Sequence, residues 1–145
     1  MQIKPGSGVE LLSIGDTRAA VESRLGAASS VGSRYAYDTA PPLFATYAVD
    51  GTVELIEVGH SGGNSRHEAF LGDVQLTYRF MDEVVADLAR DGHVASPIDI
   101  GFAFAAGFAI FSMSSLAPGD LDPNAGPDDE RAVVEGVAVA PFGYF

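Results

Sequence analysis

The segment Asp120-Leu121-Asp122-Pro123-Asn124-Ala125-Gly126-Pro127-Asp128-Asp129-Glu130 carries the residue types of a calcium loop. Oxygen donors at alternate positions, then a glycine and a later carboxylate, suit a hard cation that takes about six to eight oxygens at flexible distances. The spacing departs from an EF-hand, because Gly126 falls one place late and Glu130 one place early, and two prolines stiffen the run. A solvated acidic loop, turned by its prolines and glycine, is the simpler account of the same residues. His60 and His67 bracket Gly62-Gly63-Asn64, with Glu68 and Asp73 nearby. Such sets ligate Zn²⁺, but this spacing matches no compact ligand pattern, and solvated or capping histidines are the plainer reading. His93, just after Gly92, suits the negative end of a helix.

Nucleophilic chemistry has little to work with. His60-Ser61-Gly62-Gly63 lies in a polar loop and not at a strand-to-helix elbow, and the chain has no cysteine. The carboxylate pairs Glu54/Glu57 and Asp82/Glu83 fall where a solvated strand edge and the first turn of a helix are expected. Gly6-Ser7-Gly8 lacks the lysine and helix start of a phosphate loop. No catalytic set, metal site or cofactor site is therefore expected.

Composition narrows the partners. The 145 residues fit a single domain, and 47% hydrophobic content with nine Phe supports a packed core despite a net charge of -12. Twenty Asp and Glu stand against eight Lys and Arg, which repels nucleic-acid phosphates and attracts basic proteins. Without cysteine there are no disulfides, thiolate sites or lipid-anchored cysteine. The opening Met-Gln-Ile-Lys-Pro-Gly-Ser-Gly has no apolar core of a secretion signal, so a cytoplasmic location is expected. The uncharged run from Ile100 to Leu116 is shorter than the roughly 20 residues a spanning helix needs. Its Gly101 and Gly107 favour a buried β-hairpin, so no membrane partner is expected.

The elements that must position these groups follow a pattern stated twice. Asp16 is a candidate cap for a helix over about 17–25 with Gly26 as its stop, and a second helix spans about 79–90 before Gly92. Asp50-Gly51 joins 43–49 to 52–58 as a hairpin with a type I′ turn, and a bulge reconciles the broken alternation at Glu54 and Glu57. Tyr35-Ala36-Tyr37 is a short strand, 27–34 a loop, and 60–68 a connection. The runs 98–104 and 107–113 make a second hairpin, and 132–139 a last strand. The expected fold class is α+β: two tandem α-β-β-β units, over 9–71 and 72–145, forming an antiparallel sheet with two helices packed on one side.

The entry Leu12-Ser13-Ile14-Gly15-Asp16-Thr17-Arg18-Ala19-Ala20-Val21-Glu22-Ser23-Arg24-Leu25-Gly26 resembles the opening of SmpA/OmlA-type small domains. The β-lactamase-inhibitor-protein fold is built from two tandem units of a similar kind. Both families are binding proteins, so the resemblance implies a non-catalytic binding module. The layout, ending in Gly143-Tyr144-Phe145, also looks like that of small bacterial immunity proteins.

The expected function is an acidic, cytoplasmic immunity or inhibitor protein that covers a basic surface of a toxin or enzyme. Glu54, Glu57, Asp82, Glu83, Asp120, Asp122, Asp128, Asp129 and Glu130 would supply its charge, and Tyr144 and Phe145 its aromatic anchors. The alternative is a small ligand-binding or enzymatic domain with a pocket between helices and sheet.

Overall fold

A computed structural model describes residues 1–63 and 67–145; Asn64, Ser65 and Arg66, within the expected 60–68 connection, lie outside the described residues. In chain order the elements are β1 (Ile3–Lys4), β2 (Gly8–Val9), α1 (Arg18–Leu25), β3 (Ser29–Val31), β4 (Arg34–Tyr37), β5 (Leu43–Tyr47) and β6 (Val53–Gly59). The second half contains β7 (Phe70–Leu71), β8 (Val74–Gln75), α2 (Met81–Arg90), β9 (Ala95–Ile98), β10 (Gly101–Phe104), β11 (Phe108–Phe111) and β12 (Gly136–Val139). An eight-stranded sheet runs β3-β4-β5-β6-β12-β11-β10-β9, with every neighbouring pair antiparallel. Two small hairpins, β1–β2 and β7–β8, stand beside it.

This architecture overturns the expected α+β class with tandem α-β-β-β units and two helices covering a sheet. The protein is mostly β, and its helices are two short elements of 8 and 10 residues. The physical reason lies in what each helix can bury. α1 (Arg-Ala-Ala-Val-Glu-Ser-Arg-Leu) places only Val21 fully inside, while α2 buries Met81, Val84 and Leu88. Two such stripes cannot cover eight strands, so hairpins and loops complete the cover. Ile3, Val9, Leu12, Ala69 and Leu76 join Val21, Val84 and Leu88 in the core. Each strand run also has four members, because Ser29–Val31 and Ala95–Ile98 form edge strands. Their largely exposed side chains give no burial pattern to read.

Local chemistry differs from expectation in two places. Thr17, and not Asp16, caps α1: its hydroxyl accepts from the Ala20 N–H at 3.2 Å. Asp16 accepts instead from the Ser13 N–H and pairs with Arg24 at 2.6 Å. The β5–β6 turn has a positive φ at Gly51 alone of the Asp50-Gly51 pair, so it is not type I′. Asp50 accepts from the Thr52 N–H and hydroxyl, and the Gly51 N–H donates to Ala48. The register then shifts at Thr46/Tyr47, which leaves Glu54 as the extra residue of a bulge. The uncharged 100–116 run does form a hairpin, β10–β11, and no helix among the described residues is long and apolar enough to cross a membrane.

Candidate functional site

Cross-strand register divides the large sheet into two faces, since residues directly opposite point the same way. One row runs Leu43–Val58–Val137–Ile110–Phe102 and another Ala45–Ile56–Val139–Phe108–Phe104. Both belong to the main core beneath the helices and small hairpins. The intervening row, Ala36–Phe44–Glu57–Ala138–Ala109–Ala103–Ser96, faces the other way. There Ala103, Ala109 and Ala138 form a separate small cluster with Leu55 and Phe111. Those three alanines are themselves buried beneath neighbouring side chains, and no residue of α1 or α2 lines the hollow beside them; this second face is called the open face.

The open face sinks into a hollow of about 350 Å³ lined by Leu55, Ala109, Phe111, Ala138, Ile98, Ile100, Met113 and Phe145, with Arg34 and Glu57 at its polar side. Its shape depends on small residues. A Cβ on Gly136 would lie 2.3 Å from the Phe111 ring, so only glycine lets that ring rest flat across β12 and form a wall. Arg34 grips Glu57 with both nitrogens, Nε at 2.9 Å and a terminal nitrogen at 3.3 Å, and its guanidinium stacks 3.6 Å above the Phe44 ring. The two charges are thereby satisfied at the hollow's edge, and the floor between them and Phe111 is apolar.

A buried carboxylate holds the adjoining loop. Glu135, at the start of β12, accepts from the N–H groups of Met113, Ser115 (2.8 Å) and Leu116 (2.9 Å) and from the Ser112 hydroxyl (3.2 Å). This latch fixes Met113 at the hollow. Burial works to raise the Glu135 pKa, but the donors from Met113, Leu116, Ser112 and Ser115 outweigh it and hold the carboxyl below its ordinary value. Asp50 and Asp129 are likewise lowered, chiefly by hydrogen bonds to the Thr52 and Arg131 side chains. At Asp16 burial pushes upward, yet the Arg24 and Ser13 hydrogen bonds prevail. All four shifts carry one sign: the stability they give is present above the unfolded carboxylate range, about 4, and is lost as pH falls through the lower folded values. The melting temperature is therefore expected to hold between pH 8 and about 5.5 and to fall below about 4.5, with Glu135→Gln falling less steeply there. A melting temperature that rises on acidification contradicts this assignment.

The residues singled out from the sequence are spread across the molecule. Glu57 and Phe145 meet at the hollow, and Tyr144 packs edge-on against Phe145 at 5.4 Å. Glu54 sits in the β6 bulge. Glu83 and Asp120 line a different, shallow depression with Tyr78, and Glu83 pairs with Arg79 at 3.8 Å. Asp82 accepts from the Glu83 N–H in the first turn of α2. Asp120 accepts from the Ala117 N–H and shapes a 3₁₀ turn, Pro118–Asp120. Asp122 and Asp129 clamp Arg131, whose guanidinium lies 3.8 Å over the Phe80 ring, while Asp128 and Glu130 are exposed. The acidic segment is thus organised by an arginine and by turns, and no group of metal-holding side chains forms among the described residues.

His60 stacks on Tyr78, and its buried Nδ1 has no hydrogen-bond partner among the described residues. His93 places its ring edge-on against Phe104 and Phe108, a packing contact where a helix-end charge was expected. Ser61 is committed to structure, since its hydroxyl donates to the His67 carbonyl and its N–H to the buried Glu68. Glu68 also accepts from the Gly63 N–H and the Thr77 hydroxyl.

Sequence reasoning missed the open face itself. Its signal was present in Gly101-Phe102-Ala103-Phe104 and Gly136-Val137-Ala138-Val139, where large residues alternate with Gly or Ala. The large set fills the core, and the small set lies on the second face. No family model, curated protein or solved structure matches the chain.

Proposed function

We propose that this protein is a non-catalytic, acidic protein-binding module, and within that class an immunity or inhibitor protein that covers a basic surface of a toxin or enzyme. The observation that carries the reading is the open sheet face: an antiparallel surface with an apolar-lined hollow and one satisfied ion pair at its edge. Central apolar area with charge outside it is the anatomy of a protein interface. Electrostatics favour a basic partner. Every described arginine is already paired with a carboxylate, so the excess of a -12 chain lies in acidic groups such as Glu54, Asp128 and Glu130. Such a surplus steers cationic partners and weakens with salt.

Capture from the native host tests this. A single basic protein is expected, with an association rate that falls at least about tenfold between 0.05 and 0.5 M salt. Capture of only neutral or acidic proteins, or a salt-independent rate, refutes the reading. A second reading, binding of a small apolar ligand, is favoured by the hollow's volume of about 350 Å³ and its mostly apolar lining. That site lies on the sheet face opposite the helices, whereas the expected pocket lay between helices and sheet.

A further inference from the structure

Residues 140–145 leave β12 and turn back on the sheet. The Ala140 N–H still donates to Gly107, and the Tyr144 N–H then closes a turn onto Pro141. This turn carries Phe145 onto the open face, where it lines the main hollow beside Leu55, Ala109 and Ala138 and also a second depression beside Ala103. The ring is only half seated: Phe145 remains 44% exposed and Phe142 79% exposed. One turn hydrogen bond and the Tyr144 edge contact are a light tether for a large apolar group.

We propose that the hollow is a receptor for an aromatic or large aliphatic side chain of a basic protein partner, and that Phe145, whose half-exposed ring forms part of its wall, encroaches on it as a displaceable stand-in. The proposal rests on reading the open face as a contact surface. Three features fit that occupant. The floor of Ala109 and Ala138 leaves room for a flat ring, and Leu55 and Phe111 supply walls on either side. Glu57 is already neutralised by Arg34, so an incoming apolar group strands no charge. Asp99 is exposed and lies in the chain between the lining residues Ile98 and Ile100, a carboxylate within one residue of the hollow's lining that suits a cation flanking the inserted ring.

The test titrates acetyl-Lys-Phe-Lys-amide into isotopically labelled protein and follows the Leu55, Ala109 and Ala138 methyl signals. Removing the stand-in with Phe145→Ala is expected to tighten peptide binding about fivefold, because an intramolecular competitor is gone. The acetyl-Lys-Ala-Lys-amide control is expected to move none of these signals, and acetyl-Glu-Phe-Glu-amide to bind several-fold more weakly. Equal affinity in wild type and Phe145→Ala overturns the stand-in role. Absence of methyl shifts in Phe145→Ala overturns the receptor, and equal binding of the acidic peptide overturns its basic occupant. The two readings fail separately: a host partner that protects only the helix side refutes the contact-face function, whereas the peptide results decide the hollow.

Discussion

Gly107→Ala is expected to lower the unfolding free energy by about 3–5 kcal/mol, combining backbone strain with overpacking. Gly107 has φ +101°, a conformation that side-chain-bearing residues rarely adopt. A Cβ there would stand 2.6 Å from the Gly6 Cα and 2.7 Å from both the Gly6 N and the Ala140 O. All are backbone atoms, so no rotamer change relieves the contact. The site is also a junction: the Gly107 carbonyl accepts from the Gly6 N–H at 3.0 Å and the Ala140 N–H at 3.3 Å. Making room would part the N-terminal hairpin, the β10–β11 turn and the exit of β12 together. Urea unfolding should show a lower midpoint with an unchanged slope. A loss below about 1 kcal/mol would mean the three segments separate freely.

Glu135→Ala comes next, with an expected loss of about 2–4 kcal/mol. The substitution removes the acceptor for three backbone N–H groups and the Ser112 hydroxyl at once. Glu135 is itself 93% covered, being only 7% exposed, so its place is filled by a cavity and not by bulk water. Hydrogen exchange should report the loss directly, with faster exchange at Met113, Ser115 and Leu116 while the β5–β6 amides stay protected. Met113 would leave its position at the hollow, so the variant couples loop order to the candidate site. Glu135→Gln keeps an oxygen acceptor and is expected to lose about half as much. Unchanged exchange in Glu135→Ala would remove the latch.

What could be read from the sequence follows from where the side chains end up. The hairpins β5–β6 and β10–β11 were legible, the first from Asp50-Gly51 and the second from an apolar run broken by Gly107. The run 132–139 was legible as a strand, but not its place between β6 and β11, because every residue of β12 is buried and no alternation marks its faces. α1 and α2 were placed to within about two residues by their punctuation, at the usual limit of boundary definition. The edge strands β3 and β9 were not legible, since Ser29-Ser30-Val31 and Ala95-Ser96-Pro97-Ile98 are mostly solvent-facing and carry little burial pattern. Missing them, and granting the helices more cover than Val21 and the α2 stripe supply, produced the α+β expectation. The candidate site was partly legible for a similar reason. Charged and aromatic residues such as Glu57 and Phe145 draw notice, whereas Ala109, Ala138 and Gly136 signal a site only once register places them in one row. The calcium-like loop was a composition signal whose oxygens serve Arg131 and local turns instead.

The central claim is that the open sheet face is the contact surface. It is tested most directly by measuring the affinity of the purified host partner for Leu55→Lys and Leu11→Lys. Leu55 lines the hollow, whereas Leu11 is 40% exposed in the β2–α1 connection, next to the core residue Leu12. Leu55→Lys places a cation in the apolar centre facing a basic partner, and affinity is expected to fall at least tenfold, or about 1.4 kcal/mol. Leu11→Lys is expected to change it less than about twofold. Wild-type affinity in Leu55→Lys, with binding lost in Leu11→Lys, would contradict the account and move the contact surface to the side of the helices.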